Sequence, residues 1–301
     1  GENGDRITYA RRQTDRYVHG THYWLLEGAA NSPSPSQVWR SAEDAVIFDD
    51  VHSEVQRTDL AKVPGAFTLS NLLTRDECEQ LIGLSNAMGY HLTAQHDDGE
   101  PERRSGVCVW VMDESLIQPI WQRAAALLPK DDTGGSALGI NPLLRLYRYE
   151  EGDDFNGKHV DNSWLGSGLD VDGNFVRDLW ASQRRSRLTM LLYLDSLSSY
   201  DGGSTTFHMA SGEHAVRVPQ GHALCFLHGE HALSPLHEGA LVTRGVKHVI
   251  RTDVLYQAQT TVACTALPLR DSTSHTDLKD VESVEATSED ANEGAAPAGA
   301  A

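Results

Sequence analysis

The hydrophobic pattern of this chain changes its period after Asn141. From there to about residue 262, apolar and polar residues alternate or large apolar residues cluster in short segments, which turns rich in Gly, Pro and Asp separate. The segments are LLRLYRYE (143–150), SRLTMLLYLDS (186–196), STTFHMA (204–210), HAVRVP (214–219), ALCFLH (223–228) and KHVIRTDVLYQAQ (247–259). A period of two is typical of β-strands, and several short strands divided by such turns indicate a sandwich or barrel. The sequence therefore predicts a β core.

Two helices are predicted ahead of this core. Thr74 followed by Glu77 is the pattern of a capping box, in which each residue satisfies a backbone N–H at the start of a helix. The residues that then share one helical stripe are Cys78, Leu81, Ile82 and Met88. A second helix is predicted within residues 115–129, where Pro129 ends it. The predicted fold class is thus α+β and mainly β.

The chain of 301 residues divides by composition into three parts. Residues 1–58 are predicted to be a partly ordered N-terminal extension that packs on the main body. Residues 59–264 form the predicted main domain. Residues 265–301 are rich in Ser, Thr, Glu and Asp and poor in large apolar side chains, so we expect an acidic disordered tail.

Composition excludes several classes of protein. The formal net charge of −18 argues against a nucleic-acid backbone as the main partner. No apolar run approaches the ~20 residues of a spanning helix, so no membrane segment is expected. Four well-separated cysteines, without a C-x-x-C pair, do not make a disulfide scaffold. They fit a reducing compartment and weakly favour the cytoplasm, while the localisation otherwise stays open.

A candidate metal site begins at His159 and Asp161. Residues two apart on an extended chain point to the same side, so this imidazole and carboxylate can bind one ion. Two histidines and one carboxylate on one face are the ligands of non-haem iron oxygenases. The third ligand must then come from one of seven later histidines, which are His208, His214, His222, His228, His231, His237 and His248.

His237 stands out among these histidines by the segments that come after it. A turn, a short strand, a turn at Gly245 and a long strand are predicted there, and Lys247 lies ten residues beyond His237. A cation facing the same cavity can pair with an acid group of a cosubstrate. Arg251 shares a strand face with Lys247 and is the reserve candidate. Either cation could instead be a solvated charge on an edge strand.

Residues 63–262 resemble the iron(II)/2-oxoglutarate dioxygenases of the prolyl 4-hydroxylase type. The resemblance depends on an ordered set of features: an H-x-D pair, a later histidine, a basic residue ten positions on, and a Gly-Gly turn. Four segments carry it, namely VPGAFTLSNLLTRDECEQLIGLSNAMGY, YRYEEGDDFNGKHVD, LTMLLYLDSLSSYDGGSTTF and VPQGHALCFLHGEHALSPLHEGALVTRGVKHVIRTDVLY. An H-x-D pair alone is weak, but the whole set in this order is specific.

The resemblance implies a fold and a set of ligands. The fold is a double-stranded β-helix, a relative of the jelly roll and the cupins, buttressed by the N-terminal helices. The implied iron ligands are His159, Asp161 and His237. Lys247 would bind the distal carboxylate of 2-oxoglutarate.

Further residues around the cosubstrate are implied as well. Tyr149 and Thr189 would line the 2-oxoglutarate pocket, although Tyr147 is an alternative to Tyr149 because both lie on one strand face. Tyr193 shares the face of Thr189, and we interpret it as core packing. Residues 162–185 form a long connection after the first two ligands, and we expect a mobile loop over the site.

The implied reaction is hydroxylation of an unactivated C–H bond, with release of succinate and carbon dioxide. Its implied cofactors are Fe²⁺, 2-oxoglutarate and O₂, and ascorbate is left open as an addition. Asp161 favours hydroxylation, because halogenating relatives lack this carboxylate. The expected substrate is a prolyl or other protein side chain. Two alternatives are a small-molecule hydroxylase of the same class and a catalytically silent, cupin-like metal-binding module.

Overall fold

The computed structural model describes residues 16–26, 37–50, 53–92, 105–131 and 133–258. The chain divides into two compact units, Gly1–Gln259 and Thr260–Ala301, and all described residues belong to the first unit. The predicted acidic tail from residue 265 lies outside the described residues. No helix in the described part of the chain is both long and apolar enough to cross a membrane.

Strands dominate the described residues. The helices are α1 (Arg75–Met88) and α2 (Glu114–Ala124), and a single 3-10 turn (Ala125–Leu127) follows α2. The strands are β1 (Tyr23–Leu25), β2 (Val38–Ser41), β3 (Gln56–Asp59), β4 (Phe67–Ser70), β5 (His91–Leu92), β6 (Gly106–Val111), β7 (Gly139–Ile140), β8 (Leu143–Tyr149), β9 (Phe155–His159), β10 (Gly168–Leu169), β11 (Phe175–Val176), β12 (Arg184–Tyr193), β13 (Tyr200–Gly202), β14 (Thr205–Met209), β15 (Gly212–Val216), β16 (Ala223–Leu227), β17 (His237–Gly239), β18 (Val242–Gly245) and β19 (Lys247–Gln257). The prediction of a mainly β fold is confirmed.

Two of the sheets face each other. The larger sheet has the strand order β1-β2-β6-β8-β19-β12-β16-β4-β3, with β5 on β6 and β7 on β19. The smaller sheet has the order β15-β14-β17-β9. Along the chain, β8, β12, β16 and β19 in the large sheet alternate with β9, β14–β15 and β17 in the small one. This alternation between two sheets is the connectivity of a jelly roll.

Strand β12 shows how the large sheet separates two interiors. Leu188, Met190 and Leu192 point to one side and join the main core, which also contains Leu81 of α1 and Ile120 of α2. Burial of each such side chain contributes roughly 1.5–3 kcal/mol. The residues between them point to the opposite side, towards the small sheet. The period-two pattern of this strand therefore decides which side chains can reach a site between the sheets.

Helix α1 begins as the sequence predicts. Thr74 Oγ1 accepts a hydrogen bond from the Glu77 backbone N–H, at 3.3 Å, and Glu77 Oε2 accepts from the Thr74 N–H, at 2.8 Å. The capping box is confirmed. Helix α2 begins at Glu114, with Asp113 as its N-cap, and ends at Ala124 before the 3-10 turn. Leu128 lies beyond the helix, although the helix predicted within residues 115–129 includes it.

The described residues before position 51 belong to the same body. β1 pairs with β2, and β2 pairs in parallel with β6 of the large sheet. Tyr17, Tyr23 and Val46 are buried in the main core. The division of the chain at residues 58 and 264 stays a prediction.

The long connection between Asp161 and β12 contains the hairpin β10–β11. Leu169 and Phe175 of this hairpin pack against Val107, Val109 and Val111 of β6. This part of the connection is therefore seated on the large sheet, on the face from which Tyr147 projects. Its mobility stays a prediction.

Candidate metal centre and adjoining cavity

Three potential metal ligands meet between the two sheets. β9 ends at His159, and Asp161 follows two residues later. β17 begins at His237, which is directly opposite His159 in the antiparallel pair of β17 with β9. One ligand atom from each of these residues lies within 4.8 Å of the others. Among the residues that the structure describes, this is the one group of His, Cys, Asp or Glu side chains that could hold a metal ion.

Backbone carbonyls orient both imidazoles. His159 Nδ1 lies 2.6 Å from the Gly157 carbonyl oxygen, and His237 Nδ1 lies 3.1 Å from that of Pro235. A carbonyl oxygen only accepts, so each Nδ1 carries the proton. The Nε2 lone pairs then face Asp161, at 3.5 Å for His159 and 3.8 Å for His237. This outer hydrogen bond is the usual way in which proteins fix a metal-binding tautomer.

His237 is neutral at ordinary pH. Its burial lowers its pKa to about 4, against the opposing effect of the nearby Asp161 charge. A histidine must be deprotonated at the ligating nitrogen before it can bind a metal. The buried environment of His237 thus favours the form that binds.

Each oxygen of Asp161 has a partner within the protein. Thr189 Oγ1 donates to Oδ2, at 2.7 Å, and Arg251 Nη2 lies 3.1 Å from Oδ1. Burial alone would raise the pKa of Asp161, but the Arg251 charge, the His159 and His237 side chains and the Thr189 hydrogen bond outweigh it and hold the pKa far below its usual range. Asp161 is therefore ionised. Two imidazoles and this carboxylate fit a mononuclear non-haem iron ion, with coordination positions left open.

A chain of hydrogen bonds continues behind Asp161. His228 Nδ1 lies 2.8 Å from Thr189 Oγ1, and His228 Nε2 lies 2.8 Å from Ser186 Oγ. Ser186 Oγ also accepts the backbone N–H of Trp164, at 2.7 Å. One consistent set of directions runs from Trp164 N–H through Ser186, His228 and Thr189 to Asp161. The sequence predicts that Thr189 lines the cosubstrate pocket, but its hydroxyl is directed at Asp161 and His228.

A cavity extends from the three ligands to Lys247. Tyr147, Tyr149, Tyr193 and Thr205 contribute to its walls. Lys247 Nζ donates to the Gly203 carbonyl oxygen, at 2.7 Å, and lies 5.1 Å from the centre of the Tyr149 ring. Burial of Lys247 lowers its pKa to about 8, although the Asp195 charge opposes this shift. An ammonium group at the inner end of a cavity is suited to an acid group of a bound molecule.

The two tyrosines that the sequence leaves as alternatives both line this cavity, but at different places. Tyr149 is the cross-strand partner of Lys247, whereas Tyr147 is the partner of Val249 and contributes to the raised pKa of Arg251. Tyr149 is therefore the neighbour of the lysine. Tyr147 lies nearer the three ligands.

Arg251 also lies in the cavity, but it is engaged with carboxylates. Besides Asp161, its Nη2 lies 3.7 Å from Asp253 Oδ1. Burial would lower the pKa of Arg251, yet the charges of Asp161 and Asp253 outweigh it and raise the pKa further. Sequence reasoning made Arg251 a reserve partner for a cosubstrate; in the structure it is the partner of the candidate ligand.

Sequence reasoning did not assign Tyr193 and Thr205 to the cavity, although both line it. Tyr193 is fully buried, as its interpretation as a core residue requires, but its hydroxyl is 2.6 Å from Thr205 Oγ1 and its ring is 5.4 Å from Lys247 Nζ. The face that Tyr193 shares with Thr189 on β12 could have assigned Tyr193 to the cavity from the sequence. No sequence pattern could have assigned Thr205, because β14 reaches the cavity only through the packing of the two sheets.

Comparison with known proteins finds hydroxylases among the relatives of this chain. No protein-family model matches the chain. A PKHD-type hydroxylase of Paracoccus denitrificans is 34% identical over 183 residues, which cover 59% of this chain and 72% of that protein. A PKHD-type hydroxylase of Rippkaea orientalis is 28% identical over 196 residues, with coverage of 61% and 75%. The viral collagen prolyl hydroxylase of Paramecium bursaria Chlorella virus-1 superposes with a TM-score of 0.43 and 17% identity, over 69% of this chain and 97% of that one.

The fold and the site thus define a jelly-roll protein with one candidate mononuclear metal centre among the described residues. The chain belongs to the PKHD-type hydroxylases, because its relative in Paracoccus denitrificans matches over most of that enzyme's length. It is a hydroxylase.

Proposed function

We propose that this hydroxylase uses iron(II) and 2-oxoglutarate, with His159, Asp161 and His237 as the iron ligands. The observation that carries the proposal is the convergence of these three side chains within 4.8 Å at one end of a cavity that ends at the buried Lys247. When bound, iron with 2-oxoglutarate and oxygen supplies the oxidant for an unactivated C–H bond, and succinate and carbon dioxide are released.

In this proposal the protein positions charge at both ends of the cavity. The two neutral imidazoles and the ionised Asp161 leave iron(II) with a single net positive charge. Lys247 neutralises the distal carboxylate of 2-oxoglutarate, and Tyr149 packs beside it. The pKa of Lys247, about 8, keeps it largely protonated at pH 7, and a bound carboxylate would raise that pKa. Arg251 and Thr189 hold Asp161 in place.

The substrate of the proposed reaction is a prolyl or other protein side chain, and a small molecule is the alternative. Ascorbate, as an additional reductant, stays a prediction from the family resemblance. A silent metal-binding module is disfavoured, because the three ligands and the lysine are all placed around one cavity and the relatives are hydroxylases.

Anaerobic absorption spectroscopy tests the cofactor assignment. The full chain, loaded with iron(II) and 2-oxoglutarate, is expected to show a visible metal-to-ligand charge-transfer band. His237→Ala should abolish the band, and Lys247→Ala should weaken it at a fixed 2-oxoglutarate concentration. The exposed Lys62 provides the matched control, because Lys62→Ala removes a lysine outside the cavity. A well-folded, iron-loaded wild type without a band would refute the assignment.

A further inference from the structure

One arginine next to the cavity, Arg145, has no acidic partner among the described residues. Along β8, Tyr149, Tyr147 and Arg145 project from the same face, because they alternate with period two. Their cross-strand neighbours on β19 run from Lys247 at one end to Arg251 at the other, and Arg145 is directly opposite Arg251. Lys247 and Arg251 are four residues apart, or roughly 13 Å along an extended strand. Arg145 thus lies at the end of the row that is remote from Lys247.

The two neighbouring arginines differ in how their charges are balanced. Arg251 is held by Asp161 and Asp253. The side chain of Arg145 is half-buried, and within the described ranges it makes neither an ion pair nor a hydrogen bond. Its contact is with the indole ring of Trp164, whose centre lies 4.9 Å from the guanidinium carbon. Two like charges directly opposite each other on a sheet repel, so an anion beside Arg145 would reduce the repulsion between Arg145 and Arg251.

Trp164 is linked to the candidate ligand Asp161 by its position in the sequence and by hydrogen bonds. It follows Asp161 by three residues, and its backbone N–H begins the hydrogen-bond chain through Ser186, His228 and Thr189 that ends on Asp161. The neighbouring Ser163 is held too, because its hydroxyl donates to the Ser186 carbonyl oxygen at 2.6 Å. Trp164 remains 38% exposed and Arg145 is half-buried, so both side chains are partly accessible from solvent.

We propose that Arg145 and Trp164 form a subsite for a carboxylate of the primary substrate. The guanidinium is a planar fork that matches a carboxylate, and the indole supports the apolar part of the same molecule. The proposal rests on the proposed function, and it names the substrate class as carboxylate-bearing: either a small acid or a peptide with an acidic side chain near the oxidised position. Lys247 takes the cosubstrate carboxylate at the other end of the row.

Local charge has to select the substrate, because the protein as a whole is acidic. With a formal net charge of −18, long-range steering disfavours an anionic substrate. An acid group can then be selected only by cations at short range. In the row along β8 and β19, Lys247 is assigned to 2-oxoglutarate and Arg251 is engaged with carboxylates of the chain. Arg145 is the cation of this row that has no assigned partner in the part of the chain that the structure describes.

Calorimetry with matched probes tests the subsite. The full chain is loaded with cobalt(II) and 2-oxoglutarate, so that no turnover occurs. It is then titrated with N-acetylproline and N-acetylprolinamide, and with blocked peptides that contain Pro-Glu or Pro-Gln. Within at least one pair, the wild type should bind the acid roughly tenfold or more tightly than the amide. Arg145→Gln should remove this preference, and Arg145→Lys should keep part of it.

The two pairs distinguish a small acid from an acidic peptide as the source of the carboxylate. Arg75 supplies the matched control, because its side chain is 80% exposed on α1 and pairs with Glu79; Arg75→Gln should keep the acid preference. Equal binding of acid and amide by the wild type, no binding of any probe, or a preference that survives Arg145→Gln would each overturn the subsite.

The iron(II) charge-transfer band separates failure of the subsite from failure of the cofactor assignment. A wild type and an Arg145→Gln variant that both show the band, without any acid preference in the wild type, would refute the subsite alone. A wild type without the band would refute the cofactor assignment.

Discussion

Two buried arginine–carboxylate pairs of the described residues, Arg123–Glu77 and Arg251–Asp161, lie on opposite sides of the large sheet and are built differently. On the helix side, Arg123 binds both oxygens of Glu77 through two nitrogens, each at 2.8 Å, and Glu77 also accepts the Asp49 and Thr74 backbone N–H groups. On the site side, a single nitrogen of Arg251 approaches one oxygen of Asp161 at 3.1 Å.

The difference lies in how completely each carboxylate is satisfied. Burial would raise the pKa of Glu77, but the Arg123 and backbone hydrogen bonds lower it. Glu77 is therefore ionised, and both of its oxygens are bound within the protein. Arg251 Nη2 is near Asp161 without the alignment of a hydrogen bond, and both oxygens of Asp253 lack a hydrogen-bond partner among the described residues. Removal of one partner from a pair that is closed on itself leaves a buried charge uncompensated and so destabilises the fold. A carboxylate that must also bind a metal has to remain partly open.

Loss of the site-side carboxylate gives the largest expected effect. Asp161→Ala removes a proposed iron ligand, so it should lower iron affinity by more than the roughly 10- to 100-fold that loss of an outer hydrogen-bond partner costs. Hydroxylation should fall to background. Iron titration and succinate release measure the two effects, and circular dichroism checks the fold. A folded Asp161→Ala protein with full turnover would contradict the ligand assignment.

Loss of the helix-side arginine should instead affect stability. Arg123→Gln leaves Glu77 as a buried carboxylate without its cation, and we expect a loss of about 3 to 5 kcal/mol in the free energy of unfolding. Urea unfolding measures it. The matched control is Arg75→Gln, which breaks the exposed Arg75–Glu79 pair and should cost at most about 0.5 kcal/mol. Similar losses in the two variants would show that the buried pair contributes no more to the free energy of unfolding than the exposed pair does.

Arg251→Gln tests whether the open pair positions the ligand. Without the guanidinium, Asp161 keeps Thr189 but loses the cation at Oδ1, so iron affinity should change by roughly 10- to 100-fold and the charge-transfer band should move. Arg251→Lys should restore part of both properties. If Arg251→Gln weakened 2-oxoglutarate binding without any change in iron affinity or band position, Arg251 would be a cosubstrate residue, as its reserve role from the sequence implies.

The smallest effect concerns the pH dependence of 2-oxoglutarate binding. Lys247 lies beside a carbonyl oxygen and aromatic rings, whereas Arg123 has a carboxylate partner, and the pKa of Lys247 is lowered to about 8. Only its protonated form pairs with a carboxylate. Affinity should therefore be constant below that pH and fall by up to roughly tenfold per pH unit above it. Lys247→Arg stays charged and should abolish the fall between pH 8 and pH 10, as measured by titration of the charge-transfer band; an unchanged fall would assign it to another group.

Local patterns predicted much of the fold because they depend on neighbours in sequence. The capping box at Thr74 and Glu77 acts within one helical turn, and the alternation in β12 assigns each side chain to a face whatever the partner strand is. The same reasoning placed His159 and Asp161 on one side of the chain. The end of α2 was less accurate, because the change to a 3-10 turn at Ala125 has no strong sequence signal.

By itself, the sequence determined that the chain is mainly β, that Thr74 caps the N-terminus of α1 and that an imidazole and a carboxylate project together after β8. Only the tertiary structure placed His237 opposite His159, directed Thr189 and Arg251 to Asp161, and left Arg145 beside Trp164. Each of these depends on which strands pair and in which register, and a shift of one residue would turn every side chain to the opposite face. The site residues lie in short patterns that can be read from neighbouring positions in the sequence. They come together only because strands that are far apart in sequence pair with one another.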